Sequence, residues 1–78
     1  MFFDRNGCQI LEGCVLFNIQ TRELVVVTEV DDGEGDYVEI WLLVLESPRR
    51  DRVGWSMCMS YFTDHVVHRV AYEVLYVA

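Results

Sequence analysis

Cys58, Asp64, His65 and His68 bring a thiol, a carboxylate and two imidazoles into one short region. Nucleophilic catalysis needs a thiol or hydroxyl beside a base, and a third group to orient the base. These residue types meet by chance in many chains, and a domain this small has little room for a substrate pocket. Structural zinc is usually marked by paired Cys/His spacing at both ends of the site, and no such pairing occurs. On a strand His65 and His68 face opposite sides. The expectation is two ordinary sheet histidines, with no metal site and no enzyme. Asp31-Asp32-Gly33-Glu34-Gly35-Asp36 puts four carboxylates into six residues. Calcium favours carboxylate-rich, glycine-bent loops, but the spacing and distal glutamate of an EF-hand are missing. A solvated hairpin tip is the plainer reading, its like charges discouraging edge association. A GxxxxGK phosphate loop is impossible without lysine. No cofactor is expected.

The acids outnumber the bases: thirteen Asp and Glu against six Arg, for a net charge of −7. Holding a nucleic-acid backbone by counterion release needs clustered Lys and Arg, and only Arg49, Arg50 and Arg52 cluster. Direct nucleic-acid binding is not expected, although aromatic residues are present for it; core packing is the expected use of Trp41 and Trp55. Basic proteins are the partners such a charge would suit, including those that hold nucleic acid in a groove. Three cysteines, Cys8, Cys14 and Cys58, make an odd number with no CxxC pair. That fits a reducing setting better than a disulfide scaffold. Met1-Phe2-Phe3-Asp4-Arg5 has no basic start and no long apolar run, so no secretory signal is expected there. The longest apolar run, Ile40 to Leu45, is too short to span a bilayer, and no membrane role is expected. The expected location is intracellular, in a host cytoplasm, or in a virion.

At 78 residues and 53% hydrophobic content, one domain with a small core is expected over residues 1–78. The pattern reads as β nearly throughout. Strands are predicted over Gly13 to Ile19, Glu23 to Val30 and Tyr37 to Leu45, with a polar turn at Asn18 to Arg22. The acidic loop closes a hairpin between the second and third, using Gly33 and Gly35. Glu46 to Arg52, with Pro48, reads as a polar connection. Trp55, Met57, Met59 and Tyr61 then alternate with Ser56, Cys58 and Ser60, which predicts a strand with one large apolar face. Phe62 to His65 reads as a tight turn or a single helical turn. Val66 to Val77 is predicted as a long final strand, since its many valines argue against helix.

Five or six short strands in so short a chain point to a small closed or nearly closed barrel, because an open sheet leaves one face and two edges bare. The order "EGCVLFN…ELVVVTEV…DYVEIWLL…VGWSMCMSYF" resembles the SH3-like small β-barrels, and is similar to those of small phage proteins and of Tudor- or KOW-type modules. The resemblance covers residues 12 to 62. It implies a barrel over that span, with residues 63–78 as a strand extension able to pair with an edge or with another subunit. It also implies a small viral, phage-type setting: a structural or assembly accessory, or an early inhibitor of a host machine.

The excess of apolar residues is the strongest functional signal. Trp41, Leu43 and Leu45 lie opposite Val38, Ile40, Leu42 and Val44, so one strand is apolar on both faces. Val25 and Val27 oppose Leu24, Val26 and Val30 in the same way. The outer face of Tyr37 to Leu45 is therefore either capped by the C-terminal extension or is an interface. The leading expectation is a non-enzymatic interaction protein, with a protein partner or self-association as a homo-oligomer. Its contacts would be apolar and would use strand pairing: Phe2, Trp41, Leu43, Tyr72 and Tyr76. The alternative is an acidic inhibitor that mimics phosphate charge toward a basic host protein, with Asp31, Asp32, Glu34 and Asp36 as contacts.

Overall fold

Period-two alternation and β-branched residues commit this chain to strands. The computed structural model describes residues 3–4, 6–31, 37–62 and 72–76. Five strands form: β1 (Val15–Asn18), β2 (Leu24–Asp31), β3 (Tyr37–Glu46), β4 (Ser56–Phe62) and β5 (Tyr72–Tyr76). They make one antiparallel sheet in the order β4-β3-β2-β1-β5. A single 3-10 turn, Arg50–Arg52, interrupts the connection between β3 and β4. The described residues contain no α-helix, and none of their helices is long and apolar enough to cross a membrane.

The sheet is open. β4 and β5 are its edges, and no ladder joins them among the described residues. The sheet nevertheless curls. Strands stand about 4.8 Å apart, so a flat sheet would hold β4 and β5 roughly 19 Å from each other. The Tyr72 hydroxyl on β5 instead donates to Met59 Sδ on β4 at 3.4 Å, a gap two side chains close only if the edges bend toward each other.

One face fills the concave side. Val74, Leu16, Val25 and Val44 form a row across β5, β1, β2 and β3, and Val27, Leu42 and Met57 form a second across β2, β3 and β4. Ile10, Cys14, Leu16, Val25, Val27, Ile40, Leu42, Val44 and Tyr72 are all buried there. Cross-strand partners share a face, so the register that pairs them also gathers the core.

The bulges decide where that face begins and ends. β2 shifts register between Val27 and Glu29, leaving Thr28 over, and Thr28 Oγ1 donates to the Trp41 carbonyl at 3.1 Å. The extra residue reverses the alternation beyond it. Val30, expected with Leu24 and Val26 on the face opposite Val25 and Val27, therefore pairs with Ile40 and packs against the core.

The expected strand over Val66 to Val77 is described only from Tyr72 to Tyr76; residues 63–71, with the turn expected near Phe62 to His65, lie outside the described residues. Those five residues do not lie over the outer face of β3. They pair with β1, at the far side of the sheet from it.

Trp55 also departs from expectation. It precedes β4 and is 53% exposed, where the alternation put it on the apolar face. Gly54, at φ 89°, turns the chain just before it, and the Arg52 guanidinium lies over the indole at 5.2 Å from its centroid. The ring is held by a cation–π contact at the surface.

Candidate functional site

The convex face is built by the same registers, from the residues between the core positions. Val15, Val26 and Leu43 stand opposite one another across β1, β2 and β3, and Ser56 continues the row on β4. Phe17 and Leu24 flank that row on one side. Glu29, Trp41 and Cys58 form the next row on the other, and beyond it Asp31 pairs with Glu39. Val15, Phe17, Leu24, Val26 and Leu43 are half-buried. Trp41 on this face is 40% exposed. Leu45, the bulge residue between Val44 and Glu46, is also exposed.

The described arginines gather at one end of the sheet, together with Glu23, Glu46, Asp51 and Glu73. All the arginines among the described residues, Arg22, Arg49, Arg50 and Arg52, belong to the β1–β2 turn and the β3–β4 connection, which share one end of the sheet. Glu12, Glu29 and Asp31 belong to the other end; Glu12 is placed there because the Gly13 N–H donates to the Val27 carbonyl at 2.8 Å. At the arginine end, Arg52 grips Glu23 through Nε to Oε2 at 3.0 Å and Nη2 to Oε1 at 3.1 Å. Nη2 also reaches Met57 Sδ at 3.2 Å. Glu23 is buried, and this two-pronged bond offsets its desolvation. The Arg52 hydrogen bonds hold the Glu23 carboxyl below the usual carboxylate range despite that burial, and the Arg52 guanidinium is held above its own. Thr21, Glu23, Ser47, Arg49 and Arg52 line a shallow cleft here. Arg49 also pairs with Asp51 at 3.6 Å, with both side chains mostly in solvent.

A second buried carboxylate closes the other side of the molecule. Asp4 Oδ1 accepts the backbone N–H groups of Asn6 at 2.8 Å and Cys8 at 2.7 Å, and Oδ2 accepts that of Val74 at 2.9 Å. The first two bonds fold the N-terminal residues into a turn, helped by Gly7 at φ 83° and by a bridge between Phe3 and Gln9. The third ties that turn to β5.

The residues expected to make apolar contacts divide. Trp41 and Leu43 share the convex face. Tyr72 is 4% exposed and is used in the core, where burial pushes its phenol up. Tyr76 is placed by its backbone opposite Val15, and Phe2 lies outside the described residues. Of the acidic set, Asp31 is exposed at the end of β2, while Asp32, Glu34 and Asp36 lie outside the described residues. So do Asp64, His65 and His68. Cys58 stands next to Trp41 on the convex face; desolvation pushes its thiol up, and the Glu39 and Glu29 carboxylates add to the effect. A thiol held protonated is a poor nucleophile. No group of three His, Cys, Asp or Glu side chains among the described residues is arranged to hold a metal ion.

The Asp4 anchor and the pairing of Glu23 with Arg52 did not stand out in the sequence. Asp4 is a single acid in a polar stretch, and Glu23 and Arg52 are 29 residues apart, so no local pattern links them. Comparison with protein-family models, curated proteins and solved structures found no match.

Proposed function

We propose that this chain is a non-enzymatic interaction protein, a nearly closed SH3-like small barrel that binds protein through the convex face of β1, β2 and β3. One observation carries the reading. The concave face is already filled by a complete core, yet the convex face presents Trp41, 40% exposed, beside the apolar row Val15–Val26–Leu43. A contiguous apolar patch on the second face of a sheet marks a contact surface rather than a fold requirement. The curl that brings Tyr72 to Met59, and the return of the last strand onto β1, support the barrel form. A phage-type structural or assembly accessory is the setting that suits an interaction protein of this size and form.

Trp41→Glu tests the reading, because it changes the patch at an exposed position. The variant should keep a cooperative urea transition and lose association, read as solution mass by light scattering and as protein retained on the immobilised chain. Association identical to that of the parent would sink the proposal. Repeating both readouts at low and high salt separates the acidic alternative. Apolar contact holds or strengthens with salt, whereas a contact made by Asp31 and its neighbouring carboxylates weakens steeply.

A further inference from the structure

We infer that Met59 is a peroxide-sensitive modification site: conversion of its thioether to the sulfoxide takes away the acceptor of the Tyr72 hydroxyl and loosens the curl that brings β4 and β5 together. This stands apart from the interaction reading above. β4 and β5 are the edges of the sheet, and among the described residues no backbone ladder joins them. Side chains carry the closure there, and the Tyr72 Oη to Met59 Sδ bond at 3.4 Å crosses it. Tyr72 is 4% exposed, so its O–H needs an acceptor inside the protein. The Asn18 side chain also bonds this phenol, but its Oδ1 already accepts the Gln20 and Thr21 N–H groups at 2.9 Å and 3.1 Å. The Met59 sulfur is left to take the hydroxyl proton.

Met57 and Met59 are half-buried against the core, so a small neutral oxidant reaches them. Hydrogen peroxide transfers one oxygen atom. A sulfur lone pair attacks it, the S–O bond forms as the O–O bond breaks, sulfur gives up two electrons, and the leaving hydroxide takes the remaining proton to depart as water. A thioether sulfur has two lone pairs, and in Met59 one faces the Tyr72 hydroxyl. Oxygen added on that pair, about 1.5 Å from the sulfur, would stand about 1.9 Å from Oη, far inside hydrogen-bond distance. Oxygen added on the other pair turns a strongly polar group onto the apolar core. Either product moves Met59 off Tyr72. Met57 is the contrast. Its Sδ accepts Arg52 Nη2 at 3.2 Å, but the same nitrogen donates to Glu23 Oε1 at 3.1 Å and keeps that partner when the sulfur changes.

The full chain is treated with hydrogen peroxide and then with dithiothreitol, which restores sulfenic acids and disulfides but leaves methionine sulfoxide. Peptide mass mapping assigns the added oxygen among Met1, Met57 and Met59. The parent oxidised at Met59 should have a lower urea midpoint, with about tenfold more unfolded chain at a fixed urea concentration. Met59→Leu, of similar volume, should keep its midpoint through the treatment, whereas Met57→Leu should fall as the parent does. Tyr72→Phe has no hydroxyl to strand; it should respond less than the parent, and it carries the test if Met59→Leu does not fold. A folded parent whose Met59 stays unoxidised overturns the site. An oxidised Met59 that leaves the midpoint in place, or a Met59→Leu or Tyr72→Phe midpoint that falls as far as the parent's, overturns the loss of the Tyr72 bond as its consequence.

Discussion

Glu23 and Arg52 meet across 29 residues in a bond that leaves both guanidinium prongs engaged and the carboxylate buried. Such a pair is costly to break from one side, because the remaining charge stays in a poorly solvated place. It also makes folding depend on pH with a defined sign. The Glu23 carboxyl lies below its ordinary value of 4.5 in the folded chain, first because of the Arg52 hydrogen bonds. The folded state therefore takes up the proton less readily than the unfolded state does. The contribution is fully present above pH 4.5 and is lost as the pH falls through the lower folded value. Glu23→Gln should be less stable than the parent at neutral pH and should show a flatter decline between pH 4.5 and the acid limit. Urea midpoints measured across that range check it. Parallel curves for parent and variant would mean that Glu23 does not supply the acid sensitivity.

Strand by strand, the two faces of β3 give the clearest contrast. Ile40, Leu42 and Val44 are buried, while Trp41 and Leu45 stand in solvent. Leu42→Ala should cost about 3 kcal/mol, since it opens a cavity among Val27, Met57 and their neighbours. Trp41→Ala should cost about 1 kcal/mol, near the centre of ordinary substitutions, because much of the ring is already hydrated. Urea unfolding of the two variants ranks them, and the reverse order would show that the convex face, not the concave one, is the core. This alternation was legible in the sequence because neighbouring strand residues must point opposite ways. The strands themselves were legible too, to within two residues for β1, β2 and β3. Trp55 was not, because the glycine turn before it broke the periodicity that seemed to include it. Val30 was not, because a bulge is an extra residue whose position depends on the partner strand. The apolar half of the candidate site could be read from Trp41 and Leu43. The gathering of the arginines at one end could not, since it arises only when the β1–β2 turn and the β3–β4 connection fold onto a common end.

For the whole molecule, the question is whether residues 63–78 extend a finished domain or complete an unfinished one. The resemblance to small barrels drew the boundary at residue 62. The contacts of β5 weigh against a self-sufficient piece before it. β5 covers the outer edge of β1, whose four residues would otherwise present unpaired backbone groups. Tyr72 belongs to the buried cluster, Val74 packs against it, and the Tyr72 hydroxyl reaches Met59 across the curl. Asp4 spends one carboxylate oxygen on the Val74 N–H. Without β5 that oxygen loses its partner, Leu16 loses its cross-strand neighbour, and the N-terminal turn loses its anchor. A chain this short has little stability in reserve, and removing one strand of five takes core contacts and hydrogen bonds together. A chain ending at Phe62 should therefore show no cooperative urea transition and should aggregate through the bared edge of β1. The full chain with Asp4→Ala should keep its transition at a lower midpoint, since it loses the anchor but keeps the strand. A truncated chain that unfolds cooperatively near the parent's midpoint would restore the boundary at residue 62 and make β5 an appendage.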